Sequence, residues 1–563
     1  MAEYEKIDKT SRKYYDRLVA ALKDELQSYI PWYRELAEFI TPRRGRFLMT
    51  DIQRRGNKNS YKSIINSIAS QAHKVCRAGM LNGGLPRNRP WFKLQTPDPD
   101  MMEFQPVKIW INKVEFLIRR VLDDSNFYAQ ASNLIGELIS FGTGFMSHVD
   151  DFYDVARFYT HTAGSYMISQ NGRQEIDTVV REYEQTTEGI ISEFGIDNVS
   201  MPVRNAYDQG NYMQWFPIVH IIHPNQDYER SSKSNRKKAF RSCYYEVGQP
   251  DKGKFLRESG FEYFPGYVPR WDTTDGDIYG SDSPAMTALG DIKGIQIKEK
   301  RAAQGLDKLI APPLGGPPSV KAIPVSGLPG GMSAYDAGPG NQKIESLYNI
   351  DGTGIAAMMQ NIDRDERRIK DAFFNDLFKA ITDMEGIQPR NELDLTSRNQ
   401  ERLLQIGPVI HRLDDDFLGG VVKRIFLQLL KAGALPPPPE ELQGQTLMLR
   451  YVSPLAMAQE AINTGPTTQF LSFVGMLGSA RPDAWDKVDV DAAIDDQGNA
   501  FGVNPRIILP SEIANQIRQD RIAQQQQQAQ LAAGEQVAGI AKDGASAAAS
   551  VAQAEGGSNG GRR

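Results

Sequence analysis

The chain has almost no cysteine. Two residues among 563, Cys76 and Cys243, cannot build a disulfide framework or a four-thiolate zinc site. Such sparse thiols fit a reducing compartment. Histidine is scarce too, with six scattered residues, and no Ser/His/Asp or Cys/His arrangement can be drawn from them. No apolar run reaches the ~18 residues a membrane span needs; the best candidate, "FLGGVVKRIFLQLLKAGAL", is broken by Lys423 and Arg424. The N-terminus is charged throughout, unlike a secretory signal. These absences predict a soluble intracellular protein with no membrane partner. An excess of positive charge is also missing. The net charge of -5 argues against a chain that simply coats nucleic acid.

Short motifs that suggest small-ligand chemistry fail on inspection. "GTG" at Gly142–Gly144 and Gly352–Gly354 lacks the strand–turn–helix context and the lysine of a phosphate loop. His220 and His223 of "HIIH" fall on opposite faces of a strand and do not converge on a metal. "DTTDGD" (Asp272–Asp277) misses the carboxylate pattern of a calcium loop and reads as a turn. No cofactor and no catalytic residue is expected.

What is present is a large mixed chain. At 40% hydrophobic and 24% charged it can bury a sizeable core, and its length suggests about four compact units. Helical spacing of Tyr15, Leu18, Leu22 and Leu26 predicts a helix over Glu3–Ile40, interrupted near Pro31. A helix over Ile64–Leu81 is expected to be closed by Gly83–Gly84. A helix pair follows near Pro106–Asp123 and Tyr128–Ser140. From Tyr153 to about Val247, β-branched and aromatic runs predict an antiparallel module with one helix near Thr187–Phe194.

Then comes a rod. Ser283 is placed as N-cap and Pro284 as first-turn proline. Ala288, Ile292, Ile295, Ala302, Leu306 and Leu309 repeat every three to four residues, and Pro312–Pro313 stop the helix. Gly290 and Gly294 share a face and permit close approach of a neighbour. A Gly/Pro-rich insert with β pieces "VKAIPV" and "KIESLYNI" runs to Asn349. A second long helix is expected from Thr353 to Thr382. An acidic stretch, "DMEGIQPRNELDL", leads to a third long helix that Pro408 should kink. A strand is read in "TLMLRYVSPL", then smaller helices over Ala456–Leu477 and Pro510–Gln530. The low-complexity tail from Gln524 has no large apolar face.

Four segments, "GGLPRNRPWFKL" (Gly83–Leu94), "SFGTGFM" (Ser140–Met146), "YGSDSPAMTALGDIKGIQ" (Tyr279–Gln296) and "ERLLQIGPVIHRLDDDFL" (Glu401–Leu418), carry a resemblance in their order and spacing. The chain resembles the portal (head-to-tail connector) proteins of T7-like, podovirus-type tailed bacteriophages from about Tyr4 to Gln530. The resemblance implies a mixed α+β, predominantly helical portal fold of wing, stem, clip and crown, assembled as a dodecameric ring. Residues 1–282 would be wing, with its β-rich part from about 150. The first stem helix would be 283–311, the clip 312–350, the second stem helix 351–382 and the tunnel loop 383–395. The kinked helix and return to the wing would take 396–445, wing end and crown 446–523, and the disordered tail 524–563.

The implied role is a non-enzymatic channel at one capsid vertex, assembled in the host cytoplasm, for packaging and ejecting double-stranded DNA. Implied partners are the terminase large subunit, a tail adaptor, and the major capsid and scaffolding proteins. Candidate channel cations are Lys293, Lys298, Arg301 and Lys308. The tunnel loop would contribute Asp383, Glu385, Arg390, Glu392 and Asp394, and clip docking Lys321, Tyr335 and Asp336. Two basic clusters, Arg43, Arg44, Arg46, Arg54, Arg55 and Lys58, and Lys233, Arg236, Lys237 and Lys238, read as solvated faces or partner contacts. The rival readings are a nucleic-acid-processing enzyme with a scattered carboxylate Mg²⁺ site, and a capsid or internal virion protein without a channel.

Overall fold

A computed structural model of the protein describes residues 11–44, 63–98, 101, 104–248, 254–310, 314–315, 345–346, 352–383, 405–442, 447–456, 470–477, 481, 488–494 and 514–527. The chain divides into two compact units, Met1–Gln459 and Glu460–Arg563.

The first unit opens with helices α1 (Arg12–Gln27) and α2 (Ile30–Phe39). Pro31 sits in the first turn of α2, where a missing N–H costs nothing. Helix α3 (Ile68–Gly84) starts later than expected and contains Gly83 and Gly84 rather than ending before them. Strand β1 (Phe92–Gln95) and helices α4 (Gln105–Asp124) and α5 (Phe127–Phe141) follow. Next come β2 (Phe145–Asp151), β3 (Val155–His161), β4 (Tyr166–Gln170) and β5 (Ile176–Thr186). Helix α6 (Thr187–Phe194) lies where the sequence placed it, capped by Thr186, whose hydroxyl accepts the Gly189 N–H. The sequence does not predict helix α7 (Met201–Asp208), which buries only Val203 and Ala206 and so shows little apolar period. Strands β6 (Trp215–Pro224), β7 (Phe240–Glu246), β8 (Arg257–Phe261) and β9 (Gly266–Tyr267) complete the module.

The sheets are antiparallel. One runs β4-β5-β6-β7-β8, the other β3-β2-β9. Helices α6 and α7 cover the five-stranded sheet through Ile190, Phe194, Val203, Ile218 and Leu256. His220 is buried in β6, stacked on Tyr244 with ring centroids 3.7 Å apart, its Nε2 2.9 Å from Ser242 Oγ. His223 points the other way, to the Tyr15 hydroxyl at 3.0 Å. His220 is a core group and His223 a half-buried one, each with a hydrogen-bond partner.

Helix α8 (Pro284–Ile310) is the rod. Strand β10 (Leu314–Gly315) pairs with β11 (Glu345–Ser346), which falls in the second expected β piece; "VKAIPV" lies outside the described residues. The second long helix is two. Helix α9 (Gly352–Ala372) ends at Phe373–Phe374, and α10 (Asn375–Asp383) sets off anew. Phe374 takes a left-handed φ of 55°, a strained choice for a bulky residue. Burial of Phe373 and Phe378 holds it. A Cβ on Gly79 would lie 2.1 Å from Phe378, so α10 rests directly on the backbone of α3.

The third long helix runs as α11 (405–413), a π turn (Asp414–Leu418) and α12 (Gly419–Lys431). Pro408 was expected to make the irregularity; within the described residues it falls at the π turn instead. Strand β12 (Met448–Tyr451) pairs with β1, more than 350 residues earlier in the chain. In the second unit, helical segments cover 470–477, 490–494 and 514–527. The last includes the start of the expected tail; residues beyond 527 are outside the described set.

Candidate functional site

The rod and its return form a helical hairpin. Ser283 Oγ accepts the Met286 N–H at 3.3 Å, the predicted cap. Ala288, Ile292, Ile295 and Ala302 of α8 are buried, as are Ile362, Asp365 and Ile369 of α9. Lys298 Nζ sits 2.5 Å from Asp365 Oδ2, and Lys293 Nζ sits 3.0 Å from Glu35 of α2. Gln296 breaks the apolar stripe for a reason. Its Oε1 accepts the N–H groups of Ile65 and Asn66 at 2.7 and 2.8 Å, and its Nε2 donates to Asn66 O at 2.8 Å. Asn66 Nδ2 then donates to Glu299 and Glu366. The segment before α3 is thus tied to both arms of the hairpin. A polar residue inside an apolar stripe was the visible signal for Gln296; Asn66, Glu35 and Asp365 gave none.

Beyond Ala302 the hairpin is bare. No residue of 303–310 or 352–361 is buried, and Leu306, Leu309, Ile310 and Met359 are exposed. Of the expected channel cations, Lys293 and Lys298 hold the ion pairs above, while Arg301 and Lys308 are exposed. Asp383 is the last residue of α10. Glu385, Arg390, Glu392, Asp394, Lys321, Tyr335 and Asp336 lie outside the described residues, as do Arg46, Arg54, Arg55 and Lys58. Arg44 is a core brace, its guanidinium 3.1 Å from the buried Glu137. In the other basic cluster, Lys237 pairs with Glu229 and Arg236 with Glu258.

At the base of the hairpin, two of the family-like segments meet directly and the other two join through shared neighbours. Gly142, with φ of 69°, and Gly280 face each other so closely that a Cβ on either would lie within 2.6 Å of the other's carbonyl oxygen. Thr143 Oγ1 accepts the Gly280 N–H, and Gly142 O accepts the Trp271 N–H, both at 2.7 Å. Arg412 reaches Asp272 at 2.7 Å, so the "DTTDGD" turn is an anchor for α11. Phe417 stacks near Phe127, and Phe127 near Trp91, with centroids 5.9 and 6.5 Å apart. The Tyr451 hydroxyl donates to Asp414 O at 3.0 Å. Burial, reinforced by the charge of Asp415, raises the Asp414 carboxyl to about 7. Burial raises the adjacent Asp416 carboxyl as well, against the pull of Arg270 and Arg412.

This hub is a joint between segments distant in the chain. Among the described residues no three His, Cys, Asp or Glu side chains are placed to hold a metal. Both thiols are buried, and burial pushes each upward, away from the reactive thiolate. No described helix is long and apolar enough to cross a membrane.

Residues 12–509 match the family described as bacteriophage head to tail connecting protein. The chain belongs to that family. It is 36% identical over 524 residues to the portal protein of Salmonella phage epsilon15, covering 93% of each chain. It is 34% identical over 527 residues to the probable portal protein of Bordetella phage BPP-1, covering 93% of this chain and 94% of that one. Two solved assemblies also align: a native gene transfer agent virion (TM-score 0.33, 11% identity, 73% of this chain and 86% of that one); and the neck of an empty particle of the same kind (TM-score 0.34, 11% identity, 76% and 88%). The protein is a phage portal protein, a structural component of the virion joining head and tail.

Proposed function

We propose that copies of this portal protein close into a ring, a dodecamer, whose channel passes double-stranded DNA during packaging and ejection. The bare half of the hairpin is the observation that carries this reading. Four large apolar side chains stand exposed on the distal halves of two helices, where no described residue of either arm is buried, and exposed apolar faces of that kind mark contact with another surface. Cyclic symmetry supplies that surface from an identical neighbour. The hairpin would be the stem, with β10 and β11 at the root of the clip. Lys321, Tyr335 and Asp336 of the clip would dock the terminase large subunit, then a tail adaptor. The wing would face the major capsid and scaffolding proteins, with assembly in the host cytoplasm. Asp383, Glu385, Glu392 and Asp394, with Arg390, would line the constriction and repel phosphates, so that DNA slides without sticking. Lys293 and Lys298 would brace the stem, and Arg301 and Lys308 would be the cations nearest the cargo. The ring would do no chemistry itself; packaging would draw its energy from a separate ATPase. Native mass spectrometry of the purified protein tests this. A species twelve times 62.9 kDa with a central hole in negative stain is expected, and a stable compact monomer would overturn it.

A further inference from the structure

Away from the hairpin, the segment that follows α3 and the last turns of α4 enclose an open pocket of about 470 Å³. Arg87 and Arg89 enter from the segment, and Arg119 and Arg120 from α4. Phe116 stands at the lip, 58% exposed, and Tyr128 of α5 forms the far wall. The pocket is held in shape by bonds that do not use the guanidinium tips alone. Trp91, fully buried, donates its indole N–H to the Tyr128 hydroxyl at 3.3 Å. Arg87 donates to Asp123 O at 3.1 Å and lies over the Tyr128 ring.

Four guanidiniums face two carboxylates. Arg87 meets Asp123 at 3.5 Å and Arg120 meets Asp124 at 3.6 Å, both loose and largely exposed. Arg89 and Arg119 form no ion pair within 4.0 Å among the described residues, although the charge of Arg119 reaches Glu115 one turn earlier, and Arg119 Nε is buried without a hydrogen bond. The helix dipole favours cations in a last turn and fades beyond it; the last turn of α4 holds no basic residue, so the dipole gives only a weak reason for Arg119 and Arg120. It does not account for Arg87 and Arg89, brought from another segment to the same cavity. The lining holds no lysine. Planar forks converging without lysine suit the paired oxygens of a phosphate, and arginine is favoured wherever such bidentate recognition matters. An aromatic ring at the lip suits stacking of a base.

We infer that this pocket binds phosphate groups, either of a nucleic-acid strand or of a free polyphosphate. The inference needs neither the ring nor the channel, since the whole site lies within one chain. The test is titration of the intact protein with inorganic tripolyphosphate, and with a fluorescein-labelled 12-nucleotide oligo-dT followed by anisotropy. The variants are Arg89→Ala, Arg119→Lys and Phe116→Ala. Saturable binding is expected, with one site per chain. Arg89→Ala, exposed and outside the core, should weaken it at least tenfold and lower the salt slope by about one phosphate. Arg119→Lys keeps the charge and should still lose affinity, because the fork is gone. Loss of oligonucleotide but not tripolyphosphate binding in Phe116→Ala assigns the site to a strand; equal binding of both by that variant assigns it to free polyphosphate. No binding by the wild type, or unchanged affinity in Arg89→Ala, would overturn the inference. So would competition by poly-glutamate but not by tripolyphosphate, which would make the pocket a seat for an acidic protein segment.

Discussion

The β module and the helical hairpin solve burial in opposite ways. In the five-stranded sheet each strand finds its neighbours within the chain, and even His220 is stacked and hydrogen-bonded. In the distal hairpin the helices find, among the described residues, only each other, and Leu306, Leu309, Ile310 and Met359 are exposed. One region completes its burial within the chain; the distal half of the other, among the described residues, does not. A helix that leaves its stripe uncovered draws its stability from whatever later covers it. The same substitution should therefore act on folding in one place and on association in the other.

The largest effect should come from the uncovered stripe. Replacing Leu306, Leu309 and Ile310 together with Ser should abolish rings while lowering the melting temperature of the subunit only modestly, since those side chains are already 42–75% exposed within it. Light scattering and circular dichroism read the two outcomes separately. Intact rings in the triple variant would break the contrast between the regions.

Glycines sharpen it next. Gly79→Ala drives a methyl group into Phe378 and should force α10 off α3, at a cost of about 3 kcal/mol or more. Gly290 and Gly294 of α8 have open space around them. Alanine at either should stabilise the subunit by up to about 1 kcal/mol through helix propensity. Chemical denaturation of the three single variants checks the signs; destabilisation by Gly290→Ala would mean that α8 is packed more closely than its open face indicates.

The hub gives an effect that appears only at higher pH. The Asp414 carboxyl titrates near 7 when folded and near 4 when unfolded. Between these values the folded chain binds the extra proton. Its contribution is therefore complete below about pH 4 and is lost as the pH rises to 7. Asp414→Asn should match the wild type at pH 4 and exceed it by up to about 4 kcal/mol at pH 8. Equal denaturation midpoints for the two proteins at pH 8 would show that the π turn leaves this carboxyl in water.

Legibility in the sequence followed the same divide. Helix α8 and its Ser283 cap were readable because the period, the cap and the stopping prolines are all local. So was α6, bounded by Thr186 and Gly195. The break at Phe373–Phe374 was not, because no glycine or proline marks it; packing on Gly79 makes it. The pairing of β1 with β12 joins segments that share no local signal. In the candidate site, sequence supplied the cations of α8 but not their partners. Glu35 lies 258 residues from Lys293, so a lysine that braces and a lysine that faces solvent look alike along the chain. The arginines of "LPRNRP" belong to one of the family-like segments, yet only the fold brings Arg119 and Arg120 beside them.

The smallest prediction separates those two kinds of lysine. Lys298 is 40% exposed at its side chain, and its partner Asp365 only 7%. Removing the lysine leaves a nearly buried carboxylate without its cation. For a fully buried pair that costs about 3–5 kcal/mol; with one partner half in water, about 1–2 kcal/mol is expected. Lys298→Met should therefore lower stability, and Lys298→Met with Asp365→Leu should recover most of the loss, because the second change removes the stranded charge. Arg301→Gln and Lys308→Gln should leave stability within about 0.5 kcal/mol, as surface changes do. If either faces the cargo in a ring, the salt dependence of DNA binding should fall by about 0.9 in slope for each phosphate no longer neutralised. Urea denaturation and salt-dependent DNA binding, measured on the same four proteins, give a two-way sorting. Lys298→Met that keeps its stability and loses DNA affinity would place Lys298 among the groups that face the cargo, and the brace would then have to be sought in Arg368 and Asp291, 3.8 Å apart on the same two helices.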